Sequence, residues 1–507
     1  MNSKSEQPPP EEKPPQTRLV VVSNRLPVAL ERSGGSWKVN IGGGGLVRAL
    51  APVLRARGGM WIGWAGTSED VDLNKLLTDA GRDVGYQYRT VAITREEVDG
   101  FYNGFSNQII WPLFHDLQTR CTFAPEFWNA YKRVNAKFAK AVEKYTGTAD
   151  YIWIHDYHLM HLARMLRQAG IKRRSGFFLH IPFPSPDIFM KLPWRARVLQ
   201  ALLEYDLIGF QTARDRRNFL SCLGLLLPDV KLTGRGAVLT AEVDHRQVRI
   251  GSFPISIDFD NFAKPAASST VTAKVGWLKK GMLGSRIVLG VDRLDYTKGV
   301  PERLLSFQNA LERYSDLHGN LTMVQLIVPS REAIAEYKTL KSEVERLVGE
   351  INGRFTRAGW VPIHYLYRNM EYEELLAYYR AADIALVTPF KDGMNLIAKE
   401  YCAANVEEEG VLILSEFAGA AAQLQKDALL VNPYDIEGVA DAIHQAFAMG
   451  EEERRGRMRR LRESVRRNDL YRWVESYLQA AFSIHLEESE MVEEYAPQIM
   501  FEMDGSG

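Results

Sequence analysis

The stretch GVDRLDYTKGVPERL, Gly290 to Leu304, ends an apolar run in Asp292, Arg293, Asp295 and Lys298, then turns through Gly299 and Pro301. Arg293 and Lys298 bring a guanidinium fork and a compact ammonium to one strand tip, a pair suited to a diphosphate. A following helix would add its positive N-terminal end. The plainer alternative is a strand-to-helix turn with solvated charges. In TPFKDGMNLIAKEYCAAN, Asp392 and Glu400 bracket Gly393, Met394, Asn395 and Leu396. That loop should open a helix whose first N–H groups have no partner within it. Glu400, two turns on, could accept the two hydroxyls of a ribose. VPSRE places a further arginine, Arg331, at another strand end.

The first half of the chain offers a different chemistry. Arg25 ends the run RLVVVSNRLP, and the glycines Gly42 to Gly45, including Gly44 and Gly45, let backbone approach a ligand closely. This loop fits neither the dinucleotide nor the Walker glycine pattern, and a flexible turn is the alternative. GFYNGFSNQIIWPLFH mixes Tyr102, Asn107, Trp111 and His115. Ring faces could stack on pyranose C–H groups while amides pair with hydroxyls; aromatic core packing is the alternative. In WIHDYHLMHL, His155, His158 and His161 invite a metal reading, but the motif begins at a strand end rather than on one helix face. Asp156 is the better candidate, gripping sugar hydroxyls or capping a helix. His180 ends SGFFLHIPFP, where the prolines of the following loop fix it, unless it is a satisfied core histidine.

Most of these clusters follow short apolar runs, and helical stretches such as FWNAYKRVNAKFAKAVEKY lie between. Strands alternating with helices argue for α/β architecture with parallel sheets covered on both faces. The pattern restarts near Ser285 with six more runs, from RIVLGVDRLD to ALLVNPYD. The expectation is two facing Rossmann-like, doubly wound domains with the active site in the cleft between them, because ligands sit outside the carboxyl ends of such strands. Residues 1–17 read as a disordered proline- and charge-rich tail, 18–255 as the first domain, 256–480 as the second and 481–507 as a C-terminal tail.

The chain of 507 residues carries 63 basic and 63 acidic side chains, so no general attraction to nucleic acid or to an anionic membrane is expected. The arginine-rich segment EEERRGRMRRLRESVRRND interleaves acids and reads as a solvated helix. No apolar run approaches the ~20 residues that span a bilayer. Three widely spaced cysteines, Cys121, Cys222 and Cys402, fit a reducing cytosol, and the N-terminus has no secretory apolar region, so a cytoplasmic protein is expected.

Taken in order, VVSNRLP, GGL, YNGFSN with WP, WIHDYHL, HIPFP, VDRLDYTKG, PSR, DGMNL-AKEY and LSEFAGAA resemble the trehalose-6-phosphate synthase family, retaining glycosyltransferases of family 20 with the two-domain GT-B fold. The resemblance runs from Arg18 to about Tyr477. It implies transfer of glucose from a nucleotide-glucose, UDP-glucose first, to glucose 6-phosphate, giving trehalose 6-phosphate. It assigns the acceptor to Arg25, Tyr102, Trp111, Asp156 and Arg331. It assigns the donor to Gly44, Gly45, His180, Arg293, Lys298, Met370, Asp392, Gly393, Met394, Asn395, Leu396 and Glu400. Of these, Arg293, Lys298, His180 and Asp392 carry the chemistry. It also implies no metal or other cofactor, a homo-oligomer (dimer or tetramer), and a last helix returning to the first domain. Met370 stands where some members have phenylalanine near the base, so UDP, GDP and ADP stay open. No DxDGT-type phosphatase segment occurs, so the product should leave as the phosphate. Two rival readings are a transferase for another phosphorylated acceptor, such as glycerol 3-phosphate, and a non-catalytic sugar-phosphate sensor.

Overall fold

The computed structural model describes residues 17–33, 36–41, 45–56, 58–69, 73–282, 284–330, 334–482 and 492–495. The glycines Gly42 to Gly44, Arg331, tail residues 1–16 and most of the C-terminal tail lie outside them.

The β-branched run at the start of the chain forms strand β1 (Leu19–Arg25), buried to its last residue. A hairpin, β2 (Val28–Ser33) and β3 (Ser36–Ile41), stands apart as its own two-stranded sheet. The remaining strands of the first half are β4 (Met60–Trp64), β5 (Gln87–Thr90), β6 (Tyr151–His155), β7 (Arg174–Phe178), β8 (Leu207–Phe210), β9 (Lys231–Thr233), β10 (Val238–Val243) and β11 (Arg246–Ser252). With β1 they make one nine-stranded sheet in the order β5-β4-β1-β6-β7-β8-β11-β10-β9. Pairing is parallel from β5 to β11 and antiparallel at β10 and β9, so the wholly parallel sheet expected from sequence gives way at one edge. The cause is local. Asp244 and His245 both take positive φ, 45° and 64°, and turn the chain straight back as a two-residue hairpin.

The second half gives β12 (Arg286–Arg293), β13 (Leu321–Val328), β14 (Ile363–Tyr367), β15 (Ile384–Val387), β16 (Val411–Ser415) and β17 (Leu429–Val431). All pair in parallel, in the order β14-β13-β12-β15-β16-β17. These are the six runs read from the sequence after Ser285. Counting its strands from β12, this sheet has the order 3-2-1-4-5-6, and the β5-to-β8 part of the first sheet repeats that order when counted from β1 with the separate hairpin left out. In such a sheet the strand order reverses at one place, and a crevice opens there above the strand ends. In the first sheet that place lies between β1 and β6, at Arg25 and Asp156. In the second it lies between β12 and β15, at Arg293 and the loop to Asp392.

Six helices matter below: α1 (Gly45–Ala56), α2 (Pro125–Tyr145), α3 (Val300–Arg313), α4 (Leu396–Ala404), α5 (Glu451–Arg467) and α6 (Leu470–Phe482). On α5 the arginines are spent on nearby acids and carbonyls: Arg459 pairs with Glu408, Arg460 with Asp427, and Arg462 donates to the carbonyls of Cys402, Ala403 and Asn405. Helix α6 then leaves the second sheet and covers the first. Tyr477 is fully buried and stacks on Trp153 of β6 with ring centroids 4.2 Å apart, while its hydroxyl donates to the Phe177 carbonyl at 3.3 Å. Arg174 and Arg249 donate to the carbonyls of Ala481 and Ala480 at the helix end.

Tyr477→Ala should therefore destabilise the protein by about 3–5 kcal/mol, the cost of emptying a buried aromatic site. The check is a lower urea midpoint, read by far-UV circular dichroism; an unchanged midpoint would show that α6 is not part of the folding unit.

Candidate active site

On the first sheet, β1 delivers Arg25 and β4 delivers Trp64 beside it. The Arg25 guanidinium lies over the Trp64 ring, 4.7 Å from its centroid. Gly66, at φ 96°, supplies the room, because a Cβ there would run into that guanidinium. Trp64 faces Tyr102, which stacks nearly parallel on His158 with centroids 5.8 Å apart. Tyr102 belongs to a π-helical segment, Val98–Ile110, capped through Thr94 and Glu97 by the short helix before it. The wider turn buries Phe101, Phe105 and Asn107 and leaves Tyr102 half-buried. The result is a cation and a ladder of ring faces at the strand reversal.

Next along the sheet, Asp156 takes φ 74° after β6. It stands before a short 3-10 turn but does not cap it with its side chain. Its Oδ1 accepts from the backbone N–H of His180 at 3.3 Å. His180 in turn shares a proton with His155 across 3.1 Å between Nε2 and Nδ1. Burial pushes His180 down to about 3 and His155 well below its ordinary value, so both rings are neutral. The three histidines weighed as metal ligands diverge: His155 meets His180, His158 lies on Tyr102, and His161 meets Trp128 edge-on.

On the second sheet, Arg293 ends β12 exposed, its side chain in no hydrogen bond or ion pair among the described residues. A 3-10 turn, Tyr296–Lys298, held by Asp295 accepting from Thr297, presents Lys298. The Lys298 ammonium meets Asp392 at 2.5 Å, both side chains largely buried. Burial works against a charge on Asp392, but Lys298 outweighs it and holds the carboxyl below its usual range. Asp392 also accepts from the Met394 N–H at 3.3 Å and the Asn395 side chain at 3.2 Å. Asn395, in the left-handed region at φ 69°, caps α4 through the Ala398 N–H. Leu396 is the first residue of that helix, as the sequence suggested. Glu400 lies one turn into α4 rather than the two read from the sequence, and accepts from the Tyr379 hydroxyl at 2.8 Å. Met370 packs, partly buried, against the apolar core under this sheet. Gly45 is the first residue of α1.

The two sets of strand ends face each other and touch. A Cβ on Gly393 would run into the His180 carbonyl oxygen, and one on Gly419 into the Gly393 carbonyl. The buried Trp111 indole donates to Asp295 at 3.4 Å. His115 accepts nothing at Nδ1, which donates to the Trp111 carbonyl at 2.7 Å; burial lowers it to about 4 despite the carboxylates of Asp295 and Asp392 nearby. Lys391, buried, pairs with Asp116 at 2.6 Å. Behind α4, Lys399 is buried and donates to the Ile255 carbonyl at 2.9 Å, tying the helix to the segment that crosses between the sheets, and to Gln423 at 2.7 Å.

Sequence reasoning overlooked Trp64, Gly66, Asp116, Lys391 and Lys399, and weighed His158 only as a ligand. A tryptophan ending the strand MWIGWAG was the available signal for the first; the pairings of the others are tertiary and leave no local trace. Among the described residues no group of three or more His, Cys, Asp or Glu could hold a metal ion, and no helix is long and apolar enough to cross a membrane.

Two facing doubly wound sheets, with cations and a helix start on one side and a sugar-sized ladder of rings on the other, define a glycosyltransferase of the GT-B fold. The profile of glycosyltransferase family 20 matches residues 17–482, and the chain belongs to that family. Similar proteins include a trehalose-6-phosphate synthase from Mycolicibacterium vanbaalenii, 41% identical over 92% of this chain and 96% of the relative. A bifunctional trehalose-6-phosphate synthase/phosphatase from Thermoproteus tenax is 40% identical over 92% of this chain and 64% of its own length. Among solved structures, one from E. coli bound with UDP-2-fluoro glucose superposes with a TM-score of 0.81 at 37% identity, covering 92% of this chain and 100% of that one. A UDP-forming α,α-trehalose-phosphate synthase from Burkholderia xenovorans in complex with glucose-6-phosphate gives 0.81 at 34%, covering 92% and 99%.

Burial lowers Lys399 to about 7 from 10.5. From about pH 7 up to 10.5 the unfolded chain holds a proton that the folded one has released, so this residue makes stability rise with pH across that window. Below pH 7 both states hold the proton and the slope vanishes. Urea titrations should show this rise in the wild type relative to Lys399→Met; parallel pH curves would show that the ammonium is not buried.

Proposed function

We propose that the chain is a trehalose-phosphate synthase that moves glucose, with retention, from UDP-glucose to glucose 6-phosphate and releases UDP and α,α-trehalose 6-phosphate. The observation that carries this reading is Arg293, its exposed side chain unpaired among the described residues, beside Lys298 at the strand reversal, opposite Arg25 and its ladder of rings. The relatives' names and the ligands of the E. coli and Burkholderia structures support it.

In this reading Arg293 and Lys298 lie on the donor diphosphate. They stabilise the charge that develops on the leaving phosphate as the glycosidic bond breaks, a preorganised term of large size. Two fixed cations serve where other transferases use a metal ion, so none is needed. The start of α4, with Gly393 to Leu396, receives the phosphates and the transferred glucose. Glu400 takes the ribose hydroxyls, and Met370 borders the base. Asp392 and neutral His180 hold hydroxyls of the transferred glucose. Among the described residues no carboxylate has a clear claim to be the nucleophile that a double displacement requires. As the resemblance to this retaining family implies, the acceptor hydroxyl attacks from the side the diphosphate leaves, and the leaving phosphate oxygen takes its proton. Arg25, with Arg331 from the other half of the chain, holds the acceptor phosphate; Tyr102, Trp111 and Asp156 hold its sugar ring. Acceptor groups lie mainly before residue 255, Arg331 excepted, and donor groups mainly after it, so the two halves complete the site together.

The direct test is UDP release from UDP-glucose with glucose 6-phosphate, beside glycerol 3-phosphate and GDP- and ADP-glucose. Release with no acceptor phosphate ester, or with glycerol 3-phosphate alone, overturns the reading. Arg293→Ala should lower kcat by about a hundredfold or more at saturating donor; near-normal turnover would remove its assigned role. For Arg25→Ala the expected effect is on KM, by about tenfold or more for glucose 6-phosphate and far less for free glucose, since a charge-assisted contact to the phosphate is lost. Equal effects on the two sugars would show that Arg25 does not read that phosphate.

A further inference from the structure

Beneath the two cations lies a third that touches no solvent. The Arg303 side chain, on α3, is fully buried, and so is the carboxylate of Asp292 that it meets at 2.5 Å. Its guanidinium reaches four residues. Nη1 donates to Asp292, the residue before Arg293, and at 3.4 Å to Gln325. Nη2 donates to the backbone carbonyl of Lys298 at 3.3 Å. Nε donates to the Thr388 hydroxyl at 3.0 Å, just beyond β15 and ahead of Asp392. Space is reserved for it: a Cβ on Gly290 would crowd both the guanidinium and Gln325. A carbonyl contact clamps the same turn, since a Cβ on Gly299 would crowd the Thr388 carbonyl, and the Phe390 N–H donates to Thr297 at 2.9 Å.

A buried ion pair is costly, and an apolar pair of equal volume often does as well for stability. This one even leaves Asp292 Oδ1 buried without a partner among the described residues. Stability alone is a poor account of it. A planar fork with donors on three sides does what a lysine or an apolar side chain cannot: it fixes three backbones relative to one another. Those three carry Arg293, Lys298 and Asp392.

We propose that Arg303 is a positioning residue for the transfer reaction, setting the spacing of Arg293, Lys298 and Asp392 from below through Asp292 and Thr388. This rests on the reading that Lys298 acts on the donor diphosphate. Small displacements of preorganised groups cost rate rather than ground-state binding, so the loss falls on kcat.

The test measures kcat and donor KM, with UDP-glucose and glucose 6-phosphate, for Arg303→Lys, Thr388→Val, Lys298→Ala and the pairwise combinations with Lys298→Ala. Arg303→Lys keeps the charge and loses the fork. Thr388→Val removes one anchor with no buried charge left over, and carries the test if Arg303→Lys does not fold. The expected result is a fall in kcat of about tenfold or more for Arg303→Lys and a smaller fall for Thr388→Val, with donor KM within about threefold. In the Lys298→Ala background either change should cost less than it does alone, because one of the groups being positioned is gone. Unchanged kcat in folded single variants, or losses that multiply fully with a crippled Lys298→Ala, overturn the positioning role alone. Near-normal turnover of Lys298→Ala overturns it together with the functional reading beneath it.

Discussion

The cleft is organised around one ion pair, Lys298 with Asp392. Each partner lies at the carboxyl end of a different strand of the second sheet, on either side of its order reversal, and neither charge has much water. Removing a charge from water is expensive, so each must be held by further groups. Asp392 therefore takes two more donors from the loop behind it, and that loop must place Asn395 in the left-handed region where it both faces Asp392 and caps α4. Lys298 stands on a turn pinned by Asp295, and Asp295 is also the acceptor for the Trp111 indole across the cleft. A single short contact thus fixes the start of the helix carrying Glu400, the turn after β12, and the seat of an aromatic ring from the other sheet.

The same geometry explains why the two halves approach so closely. Gly393 lies against the His180 carbonyl with no room for a side chain, and Lys391 beside it pairs with Asp116. The polar loops meet because each sheet sends its strand ends, and with them its unpaired backbone groups, toward the other. A cleft walled by such ends is polar by construction, and neutral His180 and His155 keep part of it free of charge.

Much of this was legible in the sequence. The apolar runs marked β1, β6, β7 and all six strands of the second sheet, because buried parallel strands read as continuous β-branched stretches. Their polar ends gave Arg25, Asp156, His180, Arg293, Lys298 and Asp392 as site candidates, and the structure sets each at or just beyond the carboxyl end of a parallel strand, with Lys298 on Asp392 and the His180 carbonyl against Gly393. Trp64 apart, what escaped had no local signature. The Val98–Ile110 segment carries π-helical turns, which no simple period announces. The β10–β11 hairpin turns on Asp244 and His245 in place of the Asn-Gly that would have marked it. The pairs Lys391–Asp116 and Lys399–Ile255 join residues remote in sequence, and only packing brings them together.

The return of α6 to the first sheet has a consequence for how the protein is made. Trp473 and Tyr477 cover Trp153, Phe178 and Phe253, and the Tyr477 hydroxyl meets a carbonyl 300 residues upstream. On a ribosome adding ~5–20 residues per second, that aromatic face waits roughly 15–60 s for its cover. For most of this interval the first sheet has all its strands but lacks α6 over that face, while the second is still being built. The nascent chain is thus most exposed to self-association in the middle of its synthesis, and the last helix to emerge is the one that ends the exposure.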